Sequence, residues 1–320
     1  MATALLFDRD QVDEVEDWKS VGRLGRSSIL WIDLDRPSTE ESRGLADELE
    51  LTPSSAERLA KREGGPYFGD FGSYIHVTAY APSRGDRERG LERIECLVGE
   101  RWVVTIHDEP VPVLDDFRER AAGSGETGRL DGLEFLADLL EWVLAAYLDA
   151  FEEVELALED FDSRAMKGGV DEPEEELRRL VELRQEIGRL RRALVSHRVS
   201  FLELARPELD AISSSRSAER FAALRSRLED VVQAARDSRE SVVGSFDVLI
   251  ARNEQRTNEI VKVLTLASVL LLPGTLIAGI FGMNFKLAVF ETNAYFWVVL
   301  ALIAAVAATT LAVARVRRWI

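Results

Sequence analysis

Two uncharged runs near the C-terminal end constrain this 320-residue chain more than any other feature. Val263 to Phe285 is 23 residues without a charge, and Thr292 to Ala314 is another 23. A helix needs about 20 apolar residues to cross a bilayer. The two runs, joined by a short loop, predict a transmembrane helical hairpin, because nothing else in the chain is large enough to surround them as a soluble core. Basic residues set its orientation. Arg252, Arg256 and Lys262 precede the first run, and Arg315, Arg317 and Arg318 follow the second. The loop between holds one lysine and one glutamate. Both termini are therefore expected on the cytoplasmic side of a cell membrane crossed twice. Tyr295, Phe296 and Trp297 mark the outer start of the second span, and Trp319 its inner exit.

Charge separates this hairpin from the rest. Residues 259–320 carry a net +3, while the whole chain is −17, which leaves −20 on residues 1–258. An acidic body of that size repels phosphates and argues against nucleic acid as a partner. It suits metal cations or basic partners. The lone Cys96 excludes a disulfide framework and any zinc site built from several cysteines. His76, His107 and His197 are too far apart in sequence to form a local metal motif. The first residues have no basic start, apolar core or small-residue cleavage site, so residues 1–258 are expected in the cytoplasm. No phosphate loop, nucleophile elbow or paired catalytic carboxylate stands out, and no enzyme is expected.

The soluble body reads in two parts. Ser28–Leu34 and Ser73–Ala81 read as strands, and Arg93–Gly99 with Arg101–His107 as a hairpin pair. Thr39–Leu49 and Thr52–Arg62 read as short helices, the first opened by Thr39. His76, His107 and Cys96 fall in or beside these strands and are expected to be structural. Residues 1–125 thus predict a cytoplasmic α/β domain. After the Gly123–Gly128 joint come helices over Leu130–Ala165 and Glu174–Leu204, with the five carboxylates of Asp171–Glu176 read as a solvated turn between them. A third helix starts near Ser215. If it continues to Phe281 it is roughly 100 Å long at 1.5 Å per residue. No globular domain needs that length, so this helix should leave the body and become the first span. Residues 126–258 then form a helical bundle with the start of the long helix, and 259–320 the transmembrane domain, with spans at about 261–283 and 294–315.

At about 100° per residue, one face of the long helix carries Asp247, Glu254, Asn258, Val261, Thr265, Ser268, Leu272 and Thr275 within an arc of about 100°. Within the span this arc holds the only polar side chains. Two helices cannot enclose a pore, but several copies could, each lending one helix to a central bundle. Rings of Asp247 and Glu254 would then favour cations. The plain alternative is that the hydroxyls simply bond back to their own helix. Pro273 would free the carbonyl of Val269 and could kink the helix.

The first span ends in Phe281-Gly282-Met283-Asn284-Phe285. Gly282 permits a tight turn and Asn284 offers an uncharged amide oxygen. Neutral acceptors suit Mg²⁺, which dehydrates reluctantly and keeps its waters. A Gly-x-Asn is also an ordinary helix end. Its position before a short loop, between two C-terminal spans, resembles the CorA-type magnesium transport family, the two-span Gly-Met-Asn cation transporters. Thr257-Asn258-Glu259, Lys262-Val263-Leu264-Thr265, the stretch Pro273 to Gly279 and Arg317-Arg318-Trp319 match that family's spans. Trp31-Ile32-Asp33-Leu34 and Thr105-Ile106-His107 look like its N-terminal strands.

The resemblance implies a funnel-shaped homopentamer with an α+β cytoplasmic domain, a long-helix bundle and a two-helix transmembrane hairpin in the lipid bilayer. It implies influx of Mg²⁺, with Co²⁺ and Ni²⁺ as further divalent cations, down the electrochemical gradient. It assigns Gly282, Met283 and Asn284 to the selectivity filter. It assigns Asp247, Asn258, Val261, Leu264, Leu272 and Thr275 to the pore lining, the apolar ones at a constriction, and the polar stripe adds Thr265. A zinc transporter of the same fold and a non-conducting membrane-anchored sensor or scaffold are the alternatives. Two departures stand out. The outer loop, Lys286 to Asn293, lacks the family's Met-Pro-Glu-Leu stretch and has Glu291 as its only acid. The family's regulatory magnesium sites lie between subunits and take a carboxylate from the long helix; that position falls at Ala223, and Glu152, Glu153, Glu229 and Asp230 are the candidate substitutes, against the plain reading of a solvated acidic face.

Overall fold

The computed structural model describes residues 2–8, 11–15, 28–83, 90–124, 126–167, 173–204, 215–283 and 293–316. They form two compact units, residues 1–246 and 247–320. The first unit opens with a seven-stranded sheet of order β2-β1-β3-β7-β6-β5-β4. The strands are β1 (Ala2–Phe7), β2 (Val12–Glu14), β3 (Ile29–Asp35), β4 (Tyr67–Asp70), β5 (Ile75–Pro82), β6 (Leu91–Val98) and β7 (Trp102–His107). All neighbours are antiparallel except the central pair, β3 and β7, which run parallel with Trp31 opposite Val103 and Asp33 opposite Thr105.

Side-chain alternation along β3 divides the core between the two faces of the sheet. Leu30, Ile32 and Leu34 point to one face, where they pack with Leu45 of α1 (Thr39–Glu48), Leu59 of α2 (Pro53–Lys61) and Tyr74. Trp31 points to the other. There its ring meets Phe117 of α3 (Pro112–Gly123) at 5.6 Å and Phe135 of α4 (Gly132–Met166) at 5.5 Å. The α/β expectation therefore holds, with corrected edges. The first helix is opened by Ser38 rather than Thr39: the Ser38 hydroxyl accepts from Glu41 N–H, and the Glu41 carboxylate accepts from Ser38 N–H. Strands β1, β2 and β4 and helix α3 were not expected from the sequence.

Three long helices follow. Helix α4, α5 (Pro173–Leu204) and the first part of α6 (Ser215–Gly282) bury apolar residues every three or four positions. On α6 these are Phe221, Leu224, Leu228, Val231, Ala235 and Val242. A 3–4 repeat is the signature of coiled-coil-like packing. Arg220 pairs with Asp138, and Ser238 Oγ donates to Glu155 Oε1 at 3.1 Å, so α6 runs parallel to α4. Helix α6 is continuous over 68 residues and passes through Pro273. The second unit holds its outer part and α7 (Asn293–Val316). Both are long and apolar enough to cross a membrane.

The buried histidines of the sheet are paired, as the cost of burying them requires. His76 is wholly buried, with Nδ1 at 2.7 Å from Ser55 Oγ and Nε2 at 2.9 Å from Glu95 Oε2. Burial pushes the Glu95 carboxyl up, but His76, Arg93 and Thr78 outweigh it and hold it below the usual range. Asp33 accepts from Thr105 Oγ1 at 2.5 Å and pairs with Arg118, while His107 Nε2 lies 3.4 Å away. Burial alone would lower His107; Asp33, the Glu109 carbonyl and Asp35 raise it instead. These histidines brace the sheet, as expected, and Cys96 is buried with its thiol pushed well above the ordinary value by burial.

Candidate functional site

The candidate site is the face of α6 that carries the polar stripe. Within the second unit, α6 and α7 approach at Gly274, where an added Cβ would lie 3.6 Å from Ile303 Cγ2. Leu266 and Val269 of α6 line a groove with Thr309, Thr310, Val313 and Ala314 of α7. With Asn258 at 0°, Leu266 and Gly274 fall near +80° and +160°. Thr265 and Val269 fall near −20° and +20°, so the groove reaches the 0° edge of the stripe, which runs from Asn258 to Leu264 at about −120°. Helix α7 therefore leaves most of the stripe uncovered.

Exposure follows this division. Val261, Leu264 and Leu272 are 52%, 65% and 66% exposed. Asp247, Glu254, Asn258 and Thr275 are exposed as well. Ile250, on the same arc before the apolar run begins, is 56% exposed. Thr265, at the edge of the arc, is half-buried in the groove with α7.

Each hydroxyl of the stripe bonds back to its own helix. Thr265 Oγ1 donates to Val261 O at 2.7 Å, Ser268 Oγ to Leu264 O at 2.8 Å, and Thr275 Oγ1 to Leu271 O at 2.9 Å. The plain alternative is thus what the single chain contains. It does not remove the polar face. A hydroxyl that has given its proton away keeps oxygen lone pairs, which accept from water. A row of such oxygens suits the water shell of a cation.

At the outer end, Gly282 is the last residue of α6 and Met283 is 57% exposed. Met283 N–H reaches Ile280 O at 3.3 Å, a closing helical turn. A Cβ on Gly282 would meet nothing within 4 Å, and its backbone is not left-handed. Among the described residues, packing and the helix end therefore do not demand glycine there. Asn284, Lys286 and Glu291 lie outside the described residues.

The four acids expected to hold a regulatory metal are not gathered. Glu152 and Glu153 are exposed on α4, and Glu229 and Asp230 on α6. Glu229 Oε1 lies 3.8 Å from Arg225 Nε. Among the described residues no group of three or more His, Cys, Asp or Glu could hold a metal ion.

Sequence reasoning missed one polar link in the body. His197 of α5 is buried, with Nε2 accepting from Tyr80 N–H at 2.8 Å and Nδ1 donating to Ala193 O at 2.7 Å. Burial depresses it to about 4. Tyr147 of α4 donates to the Tyr80 carbonyl at 3.0 Å, so both helices grip one residue of β5. The signal was present, since His197 sits on the buried 3–4 repeat of α5 with Leu190, Leu194 and Phe201.

Comparison with known proteins agrees with this architecture. The chain is 25% identical over 268 residues to the cobalt/magnesium transport protein CorA of Thermotoga maritima, covering 81% of this chain and 74% of that one. It is 26% identical over 269 residues to the magnesium transport protein CorA of Escherichia coli K12, covering 81% of each. Its fold matches the complete structure of the CorA magnesium transporter from Methanocaldococcus jannaschii, with a TM-score of 0.77, 19% identity and coverage of 100% and 99%. The cytoplasmic domain of ZntB from Vibrio parahaemolyticus matches with a TM-score of 0.61 at 11% identity, covering 79% of this chain and 98% of that one. The profile of the family described as CorA-like Mg²⁺ transporter protein matches residues 26–318, and the chain belongs to that family.

Proposed function

We propose that this family member is a homopentameric channel that admits Mg²⁺, and with it Co²⁺ and Ni²⁺, down the electrochemical gradient. The observation that carries the reading is the uncovered stripe of α6. Ile250, Val261, Leu264 and Leu272 are large apolar residues left open on the face away from α7. Acidic and hydroxyl residues alternate with them. Lipid would satisfy the aliphatics but not Asp247, Glu254 and Asn258. A bundle of α6 helices around a water-filled axis satisfies both. In that bundle, Asp247 and Glu254 concentrate cations at the inner end, and Asn258 and Thr275, both exposed, accept from the ion's water shell. Val261, Leu264 and Leu272 narrow the path and close it by excluding water.

Gly282, Met283 and Asn284 form the outer filter in this reading. The absence of any contact that a Cβ on Gly282 would make within its own chain fits a glycine kept for an approach by other copies or by the ion. Both termini lie in the cytoplasm. The driving force is the ion gradient and the membrane potential, worth about 2.3 kcal/mol per charge per 100 mV. Binding of Mg²⁺ between acidic cytoplasmic surfaces of neighbouring copies, at Glu152, Glu153, Glu229 and Asp230, holds the pore closed.

The test is Mg²⁺ uptake by proteoliposomes holding the purified chain, with and without an imposed potential, beside Asn284→Ala. Uptake that follows the potential and vanishes in the variant is the expected result. Uptake of Zn²⁺ alone, driven by a proton gradient, would replace this reading with the zinc transporter. No flux of any divalent ion would leave the membrane-anchored sensor.

A further inference from the structure

The groove between α6 and α7 is a second feature of the hairpin, beside the stripe and sharing Thr265 with it. It has a volume of about 350 Å³ and is lined by Thr265, Leu266 and Val269 on one side and Thr309, Val313 and Ala314 on the other. Its hydroxyl protons are already placed. Thr265 Oγ1 donates to Val261 O and Thr309 Oγ1 to Ala305 O, both at 2.7 Å. A wall of aliphatic carbon and satisfied hydroxyls receives hydrocarbon without leaving a polar group unpaired.

The groove lies at the inner end of the hairpin, and that end is basic. Lys262 is one turn before Thr265, and Arg315 directly follows Ala314. Both are exposed, and neither has an ion-pair partner among the described residues. Glu259, the acid nearest to Lys262 in sequence, accepts instead from Gln255 Nε2 at 3.3 Å. Ala314, which lines the groove, is 5% exposed, and Arg315 follows it directly in the chain.

We infer that this groove is a seat for one anionic phospholipid, its acyl chain between the helices and its phosphate held by Lys262 and Arg315. The inference rests on the membrane-spanning reading above. Its ligand follows from the pairing of two unlike surfaces: hydrocarbon length in the groove selects a lipid over a soluble anion, and two unpaired cations at the mouth select a negative headgroup over a zwitterionic one. The seat belongs to the hairpin of one chain. It ties the inner ends of α6 and α7 together next to the position where Asn258 and Val261 enter the membrane.

The experiment is native mass spectrometry of the full detergent-solubilised chain offered equal phosphatidylglycerol and phosphatidylcholine. The expected result is a preference of about tenfold for phosphatidylglycerol. The double substitution Lys262→Gln and Arg315→Gln should bring the ratio to near one, and Val313→Trp should lower retention of both lipids by filling the groove. Equal retention by the unsubstituted chain, or a preference unchanged in the double variant, would overturn the seat. So would equal competition by glycerol 3-phosphate, which has the charge without the chain. Release of the unsubstituted chain from membranes by alkaline wash is a separate failure, which would overturn the spanning reading and the seat with it.

Discussion

The two units of this protein treat their apolar residues in opposite ways. In residues 1–246, Trp31, Phe135, Tyr147 and Phe151 are buried to within 2% by the chain's own helices and sheet. In residues 247–320, Val263, Leu264, Leu271 and Leu272 are each more than 60% exposed. The first unit completes its core by itself. Among the described residues the second leaves large aliphatic side chains open, because α7 lies against one side of its part of α6. A surface of that kind is stable only when lipid or other protein covers it. Closed packing and open packing thus mark which part of the chain is a scaffold and which is built to be surrounded.

Breaking the closed side should cost most. Phe135 touches Phe7, Trp31 and Phe117, with ring centroids between 5.2 and 6.2 Å. Phe135→Ala should lower stability by about 3–5 kcal/mol, read as a fall in the unfolding midpoint of residues 1–246 produced as a separate fragment. Failure of the unsubstituted fragment to fold would dissolve the contrast altogether.

The His197 link gives a smaller, pH-dependent effect. Its folded value near 4 lies below the ordinary 6.5, so the unfolded chain binds the proton more tightly. Stability is whole above pH 6.5 and is lost as pH falls toward 4, by about 2 kcal/mol between pH 7 and pH 5. His197→Gln should be less stable at pH 7 yet lose much of this slope. Chemical denaturation at the two pH values checks it; an unchanged slope would assign the acid sensitivity elsewhere.

The cap is smaller again. Ser38→Ala removes one half of the Ser38–Glu41 box and should cost about 1 kcal/mol, measured by urea titration of the same fragment. The open side gives the smallest effect on stability and the clearest on function. Leu272→Ala should change the stability of the single chain by less than about 0.5 kcal/mol, since its side chain is 66% exposed. In proteoliposomes it should raise resting Mg²⁺ leak by widening the constriction. A large loss of stability with no change in flux would move Leu272 from the pore to a packing contact.

Legibility in the sequence followed the range of the interactions. Both spans, the long helix and the orientation of the stripe depend on residues within a few turns of one another, and they were read from hydropathy and period. So was the core role of Cys96 and the bracing role of His76. The misses have identifiable signals. Helix α3 begins at Pro112 and buries Val113, Leu114, Phe117 and Ala121, a helical spacing that could have been read. Ser38-x-x-Glu41 is a capping signature one residue upstream of the start that was expected. Strand β4, with only four residues including Gly69, carries no period of its own and exists because β5 pairs with it.

By itself the sequence determined that this chain has an acidic body, a helix too long for a globular domain, and a hairpin that belongs in lipid. Hydrophobic run length and a 3.6-residue period are local properties, and they fix local structure wherever the chain goes. Only the tertiary structure decided that β3 and β7 pair in parallel at the centre of the sheet, that His197 joins α5 to β5, and that α7 meets α6 along one edge of the stripe and leaves most of it open. Each of these brings together residues far apart in sequence, where the choice of partner rests on shape and on the pairing of buried polar groups rather than on period. The uncovered face of α6 is the result, and it is where the function is proposed to lie.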